Sequence, residues 1–196
     1  MGSLLGPLAA CVLIALSGCK NHAPRDPAGS TATGYSDPTE APAFPLSAAI
    51  ARAQARVPKS SFVHAEVGSE DGVASFLVCF CSHEEIQWFE LDAESGEILQ
   101  HENTAVDAEF AARARTIVDS PAAPLEPEKA IARAVAAVPG SWARLLDLDA
   151  ESAELDYVVE VVAGDVVKEV RLRAADGELV SVCDFEQQFE VIDYDG

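Results

Sequence analysis

Basic side chains are scarce in this chain. It has 196 residues, of which 33 are acidic and 13 are basic, and its formal net charge is −20. So little positive charge excludes a surface that neutralises nucleic-acid phosphates, and it excludes electrostatic docking on anionic lipid. We therefore expect no nucleic-acid partner, and we expect attraction for cationic partners.

Fingerprints of common catalytic sites are also missing. The sequence contains no G-x-S-x-G, H-E-x-x-H, P-loop or dinucleotide-binding pattern. Carboxylates between Asp147 and Asp156 could gather Ca²⁺, but no glycine with EF-hand-like spacing accompanies them. We therefore predict that the protein is not an enzyme and has no cofactor.

The apolar run Leu8–Leu16 is too short to span a bilayer and has the length of a signal peptide. It leads into Leu16-Ser17-Gly18-Cys19, which resembles the bacterial lipobox, although no Lys or Arg precedes the run. The resemblance implies cleavage before Cys19, lipidation of its thiol and attachment to the membrane, because each buried CH₂ of an acyl chain contributes about 0.8 kcal/mol. Because Lys20 follows the cysteine, the resemblance also implies that the protein is located at the periplasmic face of the outer membrane or at the cell surface. The alternative is an ordinary secretory signal in which Cys19 is incidental.

The sequence repeats itself at an offset of 81 residues. Ala49–Pro58 returns as Ala130–Pro139, and Leu91–Leu99 returns as Leu172–Val180. Two matches at one offset indicate two copies of a small unit. Each copy has the pattern of one helix followed by strands, so we predict an α+β fold of two repeats, each with one helix packed on a three- to four-stranded antiparallel sheet.

We divide the chain on this basis into five parts. They are a lipoprotein signal peptide (1–18), a disordered tether rich in Pro, Ala, Gly, Ser and Thr (19–44), a first unit (45–103), a helical linker (104–123) and a second unit with an acidic C-terminal strand or tail (124–196).

The unit resembles the PepSY domain. The resemblance lies in the alanine-rich helix that ends at Val57-Pro58, in a strand that alternates Phe with Val, and above all in Leu91-Asp92-Ala93-Glu94-Ser95-Gly96-Glu97-Ile98-Leu99. The second unit departs from this pattern, because Arg173 replaces the Asp and Asp176 replaces the Ser. The resemblance implies one helix on an antiparallel sheet and an extracytoplasmic, non-enzymatic module. Such modules are proposed to inhibit or modulate peptidases.

Aligning the two copies separates buried from exposed positions. Phe76, Val78 and Phe80 align with Tyr157, Val159 and Val161, so we expect these positions to face the helix. The opposite face is mixed. We predict that it is solvated and contacts a partner through four residues that align in pairs, namely Trp88 with Glu169 and Glu90 with Arg171.

Cys79, Cys81 and His83 share one strand face if the strand extends that far. Two thiolates and an imidazole could bind Zn²⁺ or Cu(I), but this spacing is uncommon and a fourth ligand is missing. The alternatives are structural thiols, or a disulfide that joins Cys183 to Cys81 or to Cys79. A metal-binding or redox-sensing envelope protein is thus the alternative function. The leading hypothesis is a lipid-anchored module that binds an extracytoplasmic protein, with a peptidase as the partner that the family suggests.

Replacing Cys19 with alanine is expected to move the protein from the detergent phase to the aqueous phase in Triton X-114 partitioning, because the thiol that takes the lipid is lost. The matched control is Cys11→Ala within the same apolar run, which should stay in the detergent phase. A Cys19→Ala protein that still partitions into detergent would contradict the lipid anchor.

Overall fold

The computed structural model describes residues 35–36, 40–70, 73–108, 110–121, 124–150 and 154–185. The predicted signal peptide, Cys19, most of the predicted tether and the tail from residue 186 lie outside these ranges. Within them, no helix is both long and apolar enough to cross a membrane.

Nine strands and three helices form along the described chain. In order they are β1 (Tyr35–Ser36), α1 (Leu46–Gln54), β2 (Ser61–Glu70), β3 (Val73–Cys81), β4 (Glu85–Asp92), β5 (Ile98–Ala105), α2 (Ala111–Val118), α3 (Pro127–Ala137), β6 (Trp142–Asp149), β7 (Asp156–Ala163), β8 (Val166–Arg173) and β9 (Leu179–Asp184). Corresponding elements of the two units begin 81 residues apart at α1 and α3, β2 and β6, β4 and β8, and β5 and β9.

The strands join into one antiparallel sheet in the order β5-β4-β3-β2-β6-β7-β8-β9, with β1 paired to β2. The prediction of two repeats, each with its helix on a separate small sheet, is therefore wrong. The physical reason is that β2 and β6 are the inner edges of the two units, and each edge satisfies the backbone groups of the other.

The β2–β6 pairing consists of three residue pairs, which we call the seam: His64 with Asp147, Ala65 with Leu146, and Glu66 with Leu145. Ala65 and Leu146 are equivalent positions of the repeat. Because equivalent residues face each other at the centre of the seam, an approximate twofold axis relates the two units. This is the geometry of an isologous dimer interface, here formed within one chain.

The two equivalent helices, α1 and α3, contact each other and pack on the same face of the sheet. Small residues at their buried positions, Ala49 and Ala53 in α1 and Ala130 and Ala134 in α3, let the helices approach closely. Helix α1 begins at Leu46 with Pro45 as its N-cap and no side-chain cap. Pro127 is the first residue of α3, where proline costs no hydrogen bond.

The side chains beneath these helices form the core. Ten of them are at most 1% exposed, which confirms the burial predicted for the six residues that align between the two copies. Each such burial contributes roughly 1.5–3 kcal/mol. They are Phe76, Val78, Phe80, Phe89 and Leu91 from the first unit, and Tyr157, Val159, Val161, Val170 and Leu172 from the second.

Both units close their helix against a hairpin turn in the same way. Arg52 of α1 donates hydrogen bonds to the carbonyls of Ser95 at 3.2 Å and Gly96 at 2.7 Å. Its equivalent Arg133 donates one to the carbonyl of Asp176, the equivalent of Ser95. Gly96 has φ of +70°, and a Cβ there would lie 2.5 Å from the ring of Phe44. The glycine in the family-like motif is therefore required by backbone conformation and by packing.

The continuous sheet predicts that both units unfold together. The chain has two tryptophans, Trp88 in the first unit and Trp142 in the second. The variant Trp142→Phe keeps Trp88 as a fluorescence probe of the first unit, and Trp88→Phe keeps Trp142 as a probe of the second. Urea unfolding should give the same midpoint for both probes.

The substitution Leu146→Ala, placed at the buried centre of the seam, should lower both midpoints together and cost about 2–5 kcal/mol. The exposed Val180→Ala should change the free energy of unfolding by about 0.5 kcal/mol or less. Separate midpoints, or a shift of the Trp142 probe alone, would show that the units fold independently.

Candidate functional site

A row of three buried side chains crosses the centre of the sheet on the face opposite α1 and α3. Cys79 of β3 pairs with His64 of β2, and His64 pairs in turn with Asp147 of β6. Taken as whole residues, Cys79, His64 and Asp147 are 1%, 3% and 6% exposed. Helix α2 lies against β2, and from it Arg113 reaches the same row.

His64, Asp147 and Arg113 form what we call the seam ion cluster. His64 Nδ1 lies 3.1 Å from Asp147 Oδ1. Arg113 Nη2 donates to Asp147 Oδ1 at 2.9 Å, to Asp147 Oδ2 at 3.0 Å and to the carbonyl of Leu148 at 3.1 Å. The cluster thus ties the linker helix to both units.

The imidazole of His64 is held in its charged form. Burial alone disfavours the imidazolium, but the hydrogen bond to Asp147 and the negative charges of Asp147 and Glu66 outweigh burial and raise the pKa of His64 to about 9. Glu66 contributes from the same strand, with its Oε2 3.6 Å from His64 Nε2. At neutral pH the cluster therefore contains an imidazolium, a carboxylate and a guanidinium.

The row has the residue types of a thiol nucleophile, a base and an acid, but its protonation states do not suit nucleophilic chemistry. A reactive cysteine needs a thiolate and a lowered pKa. Burial and the neighbouring Cys81 raise the pKa of Cys79 well above its ordinary value, against an opposing effect of Arg113. His64, already protonated, has no capacity to accept a proton. The arrangement fits a structural role.

The predicted metal ligands are only partly brought together. Cys79 and Cys81 are both buried, and burial raises the pKa of Cys81 to about 11. His83 is instead about half exposed and pairs with Asp119, with Nε2 3.2 Å from Oδ1. Over the described ranges, no group of three or more His, Cys, Asp or Glu side chains is placed to hold a metal.

Cys183 lies far from the other two cysteines. It is on β9, five strands along the sheet from β3, which corresponds to roughly 24 Å at the usual strand spacing. A disulfide requires Cα atoms within about 7 Å. The structure therefore does not bring Cys183 together with Cys81 or Cys79, and the Sγ of Cys183 lies 4.0 Å from the carbonyl oxygen of Glu169.

The four predicted partner contacts do not form one surface. Trp88 and Glu90 are half-buried on β4, whereas Glu169 and Arg171 lie on β8, five strands away. Glu169 is only 4% exposed, so the expectation that this position is solvated is wrong. Arg171 bridges Asp149 at 2.7 Å and Asp156 at 3.5 Å, and lies 4.0 Å from Glu169, whose pKa is raised by burial. The guanidinium of Arg171 therefore pairs with acidic side chains of the same chain.

The outer edges of the sheet are the exposed part of this architecture. Every residue of β5 after Ile98 is exposed, and His101 stacks on the ring of Phe89 with centroids 4.1 Å apart. On β9, Leu179, Val180 and Val182 are 50%, 53% and 41% exposed. Along the described chain, β5 pairs only with β4, and β9 pairs only with β8.

Sequence reasoning missed His64 and Arg113. His64 stands alone in the sequence, and Arg113 lies in a segment predicted to be a linker. The available signal was the repeat itself, because the equivalent of His64 is the apolar Leu145. A histidine where the other copy has a leucine indicates a polar contact that one unit alone does not provide.

Comparison with known proteins identifies no family. No protein-family profile matches the chain, and no curated protein matches it. Among solved structures, it is similar to the crystal structure of a candidate lipoprotein from Clostridium difficile 630, with 15% sequence identity and a TM-score of 0.49 over 74% of this chain and 96% of that chain. The PepSY resemblance therefore rests on the sequence motifs.

The raised pKa of His64 predicts a loss of stability in alkali. Its folded-state pKa of about 9 exceeds the ordinary value of 6.5, so the stabilisation is complete below pH 6.5 and is lost as the pH rises through 9. The measured quantity is the difference in the free energy of unfolding between the native protein and His64→Gln. This difference should fall by on the order of 3 kcal/mol over this pH range. His101→Gln is the control and should follow the native pH profile. A native-minus-His64→Gln difference that does not change with pH would contradict the charged seam.

Proposed function

We propose that this protein is a non-catalytic, membrane-anchored lipoprotein of the cell envelope, with two PepSY-like modules that bind or modulate an extracytoplasmic protein. A peptidase is the partner class that the family resemblance suggests. The anchor would be the lipidated Cys19, and the residues up to 44 would carry the folded part away from the membrane.

The arrangement of the sheet edges carries this proposal. Pairing of β2 with β6 uses the inner edge of each unit, and it leaves β5 and β9 at the two ends of the sheet. A sheet edge can accept an extended segment of another protein through backbone hydrogen bonds. Both edge strands have exposed side chains, so a partner could reach either one.

The seam ion cluster supports a non-catalytic role. Its side chains are the best candidates for chemistry in the described residues, but those of His64 and Asp147 are only 4% and 8% exposed. Arg113 closes the cluster on the side of α2 through its bonds to Asp147. The burial of these side chains disfavours their direct contact with a substrate.

The metal-binding or redox-sensing alternative has weaker support. It requires Cys79, Cys81 and His83 to act together, and the imidazole of His83 is paired with Asp119 outside the buried thiol site. The raised pKa values of both thiols disfavour the thiolate that metal binding requires.

The proposal is tested by crosslinking in intact cells of the producing bacterium, followed by isolation of the lipidated full chain. The matched control is an unrelated globular domain fused behind residues 1–44, which reproduces the anchor and the tether. We expect a defined envelope protein to be enriched with the full chain and not with the control.

If the enriched protein is a peptidase, adding the purified chain should change its turnover without cleavage of the chain itself. Identical sets of crosslinked proteins from the full chain and the control would contradict the proposal. Hydrolysis of a substrate by the purified chain alone would contradict its non-catalytic part.

A further inference from the structure

Helix α2 crosses the face of the sheet opposite α1 and α3, and polar contacts hold it at both ends. Near its first turn, Arg113 donates hydrogen bonds to both carboxylate oxygens of Asp147 on β6 and to the carbonyl of Leu148. Just past its last residue, Asp119 Oδ1 lies 3.2 Å from Nε2 of His83, in the turn between β3 and β4. The helix therefore runs from β6 over β2 to the end of β3.

A pair of thiols lies on the face that α2 covers. Phe80 belongs to the core beneath α1 and α3, so its neighbours on β3, Cys79 and Cys81, point to the opposite face. They are 1% and 0% exposed. Burial raises the pKa of both thiols, and the positive charge of Arg113 opposes that rise, so both thiols lie near the helix. While α2 is in place, the pair is shielded from solvent and the reactive thiolate is disfavoured.

The attachment of α2 is weak in comparison with the strands beneath it. Two of its eight residues, Ala114 and Ile117, are buried. Its N-cap residue, Phe110, provides no side-chain hydrogen bond, and a helix of this length is not stable alone in water. Strand β3, by contrast, is paired along its length with both β2 and β4. Segments with few buried apolar contacts open at a lower free energy than the core, so we expect α2 to leave the sheet before the strands separate.

We propose that α2 is a strap that detaches from the folded sheet as a unit, and that its position controls whether electrophiles reach the thiol pair Cys79 and Cys81. In the closed position, the seam ion cluster holds the helix through Arg113 and the thiols are covered. In the open position, both thiols are solvated while β2, β3 and β6 keep their pairing. The pair is thus a modification site that opens without unfolding of the sheet. This inference goes beyond the proposed binding function and does not depend on the identity of the partner.

The test is the rate at which N-ethylmaleimide labels the full chain in detergent, resolved by peptide mass spectrometry into the Cys79–Cys81 pair and Cys183. The thiolate adds across the C=C bond of the maleimide, so that one C–S bond forms and the adjacent carbon takes up a proton from water. Cys183 is partly exposed on β9 and is the internal reference. In the native chain, the pair should react at least about tenfold more slowly than Cys183, because it reacts only from the open position.

Arg113→Ala should speed labelling of the pair by about tenfold or more, because loss of the bonds to Asp147 raises the population of the open position. The direction of the change separates opening from altered thiol chemistry, since loss of the Arg113 charge would by itself raise the pKa of both thiols and slow the reaction. Ile117→Ala removes a buried contact of the strap and should act in the same direction, so it decides the question if Arg113→Ala does not fold. Arg115→Ala, on the exposed side of α2, is the matched control and should leave the rate unchanged.

Val170→Ala distinguishes opening of the strap from unfolding of the whole chain. Val170 is fully buried on β8, three strands from β2, so the substitution lowers the stability of the sheet without changing the contacts of α2. It should leave the labelling rate of the pair unchanged in the absence of urea. An acceleration equal to that of Arg113→Ala would show that the thiols are reached through global unfolding and would overturn the proposal.

Two further outcomes would also overturn it. One is labelling of the pair in the native chain as fast as that of Cys183, which would show that α2 does not cover the thiols. The other is a folded Arg113→Ala chain whose thiol pair reacts no faster than in the native chain, which would show that the seam ion cluster does not hold the strap.

Discussion

The pairing of β2 with β6 is the contact on which the rest of the structure depends. Each unit alone has the size at which a single core is marginal, and each would expose a long inner edge. Antiparallel pairing centred on Ala65 and Leu146 solves both problems, because it merges two small sheets and lets α1 and α3 share one core. The same pairing decides which edges remain available, so it also decides where another protein can bind.

Electrostatics set the register of this contact. Side chains alternate between faces, so a slip of one residue would turn Asp147 from Arg113 and His64 towards the apolar core under the helices. A buried ion pair adds little net stability, but removing one partner leaves an uncompensated charge and typically costs about 3–5 kcal/mol. We therefore interpret His64, Asp147 and Arg113 as groups that specify one register and only secondarily as a source of stability.

The sequence predicted the parts of the fold better than their assembly. Periodicity and the repeat were sufficient to place the strands and to identify Phe76, Val78, Tyr157 and Val159 as buried. They were insufficient to show that β2 meets β6, because that contact joins residues about 80 positions apart and leaves no periodic signal. The burial of Glu169 was missed for a related reason. Its carboxylate is tolerated inside the fold because Arg171 lies beside it, and a single position in an alignment of two copies does not reveal such a partner.

In the described residues, this assembly leaves β5 and β9 as the two ends of the sheet, each paired with one neighbouring strand. The most direct test of the central claim is nuclear Overhauser spectroscopy of the full chain, which detects protons on neighbouring strands. The account predicts cross-strand contacts between Ala65 and Leu146 and between their neighbours on β2 and β6. Contacts within β2–β3 and β6–β7 without any between β2 and β6 would show two separate sheets and would contradict the account.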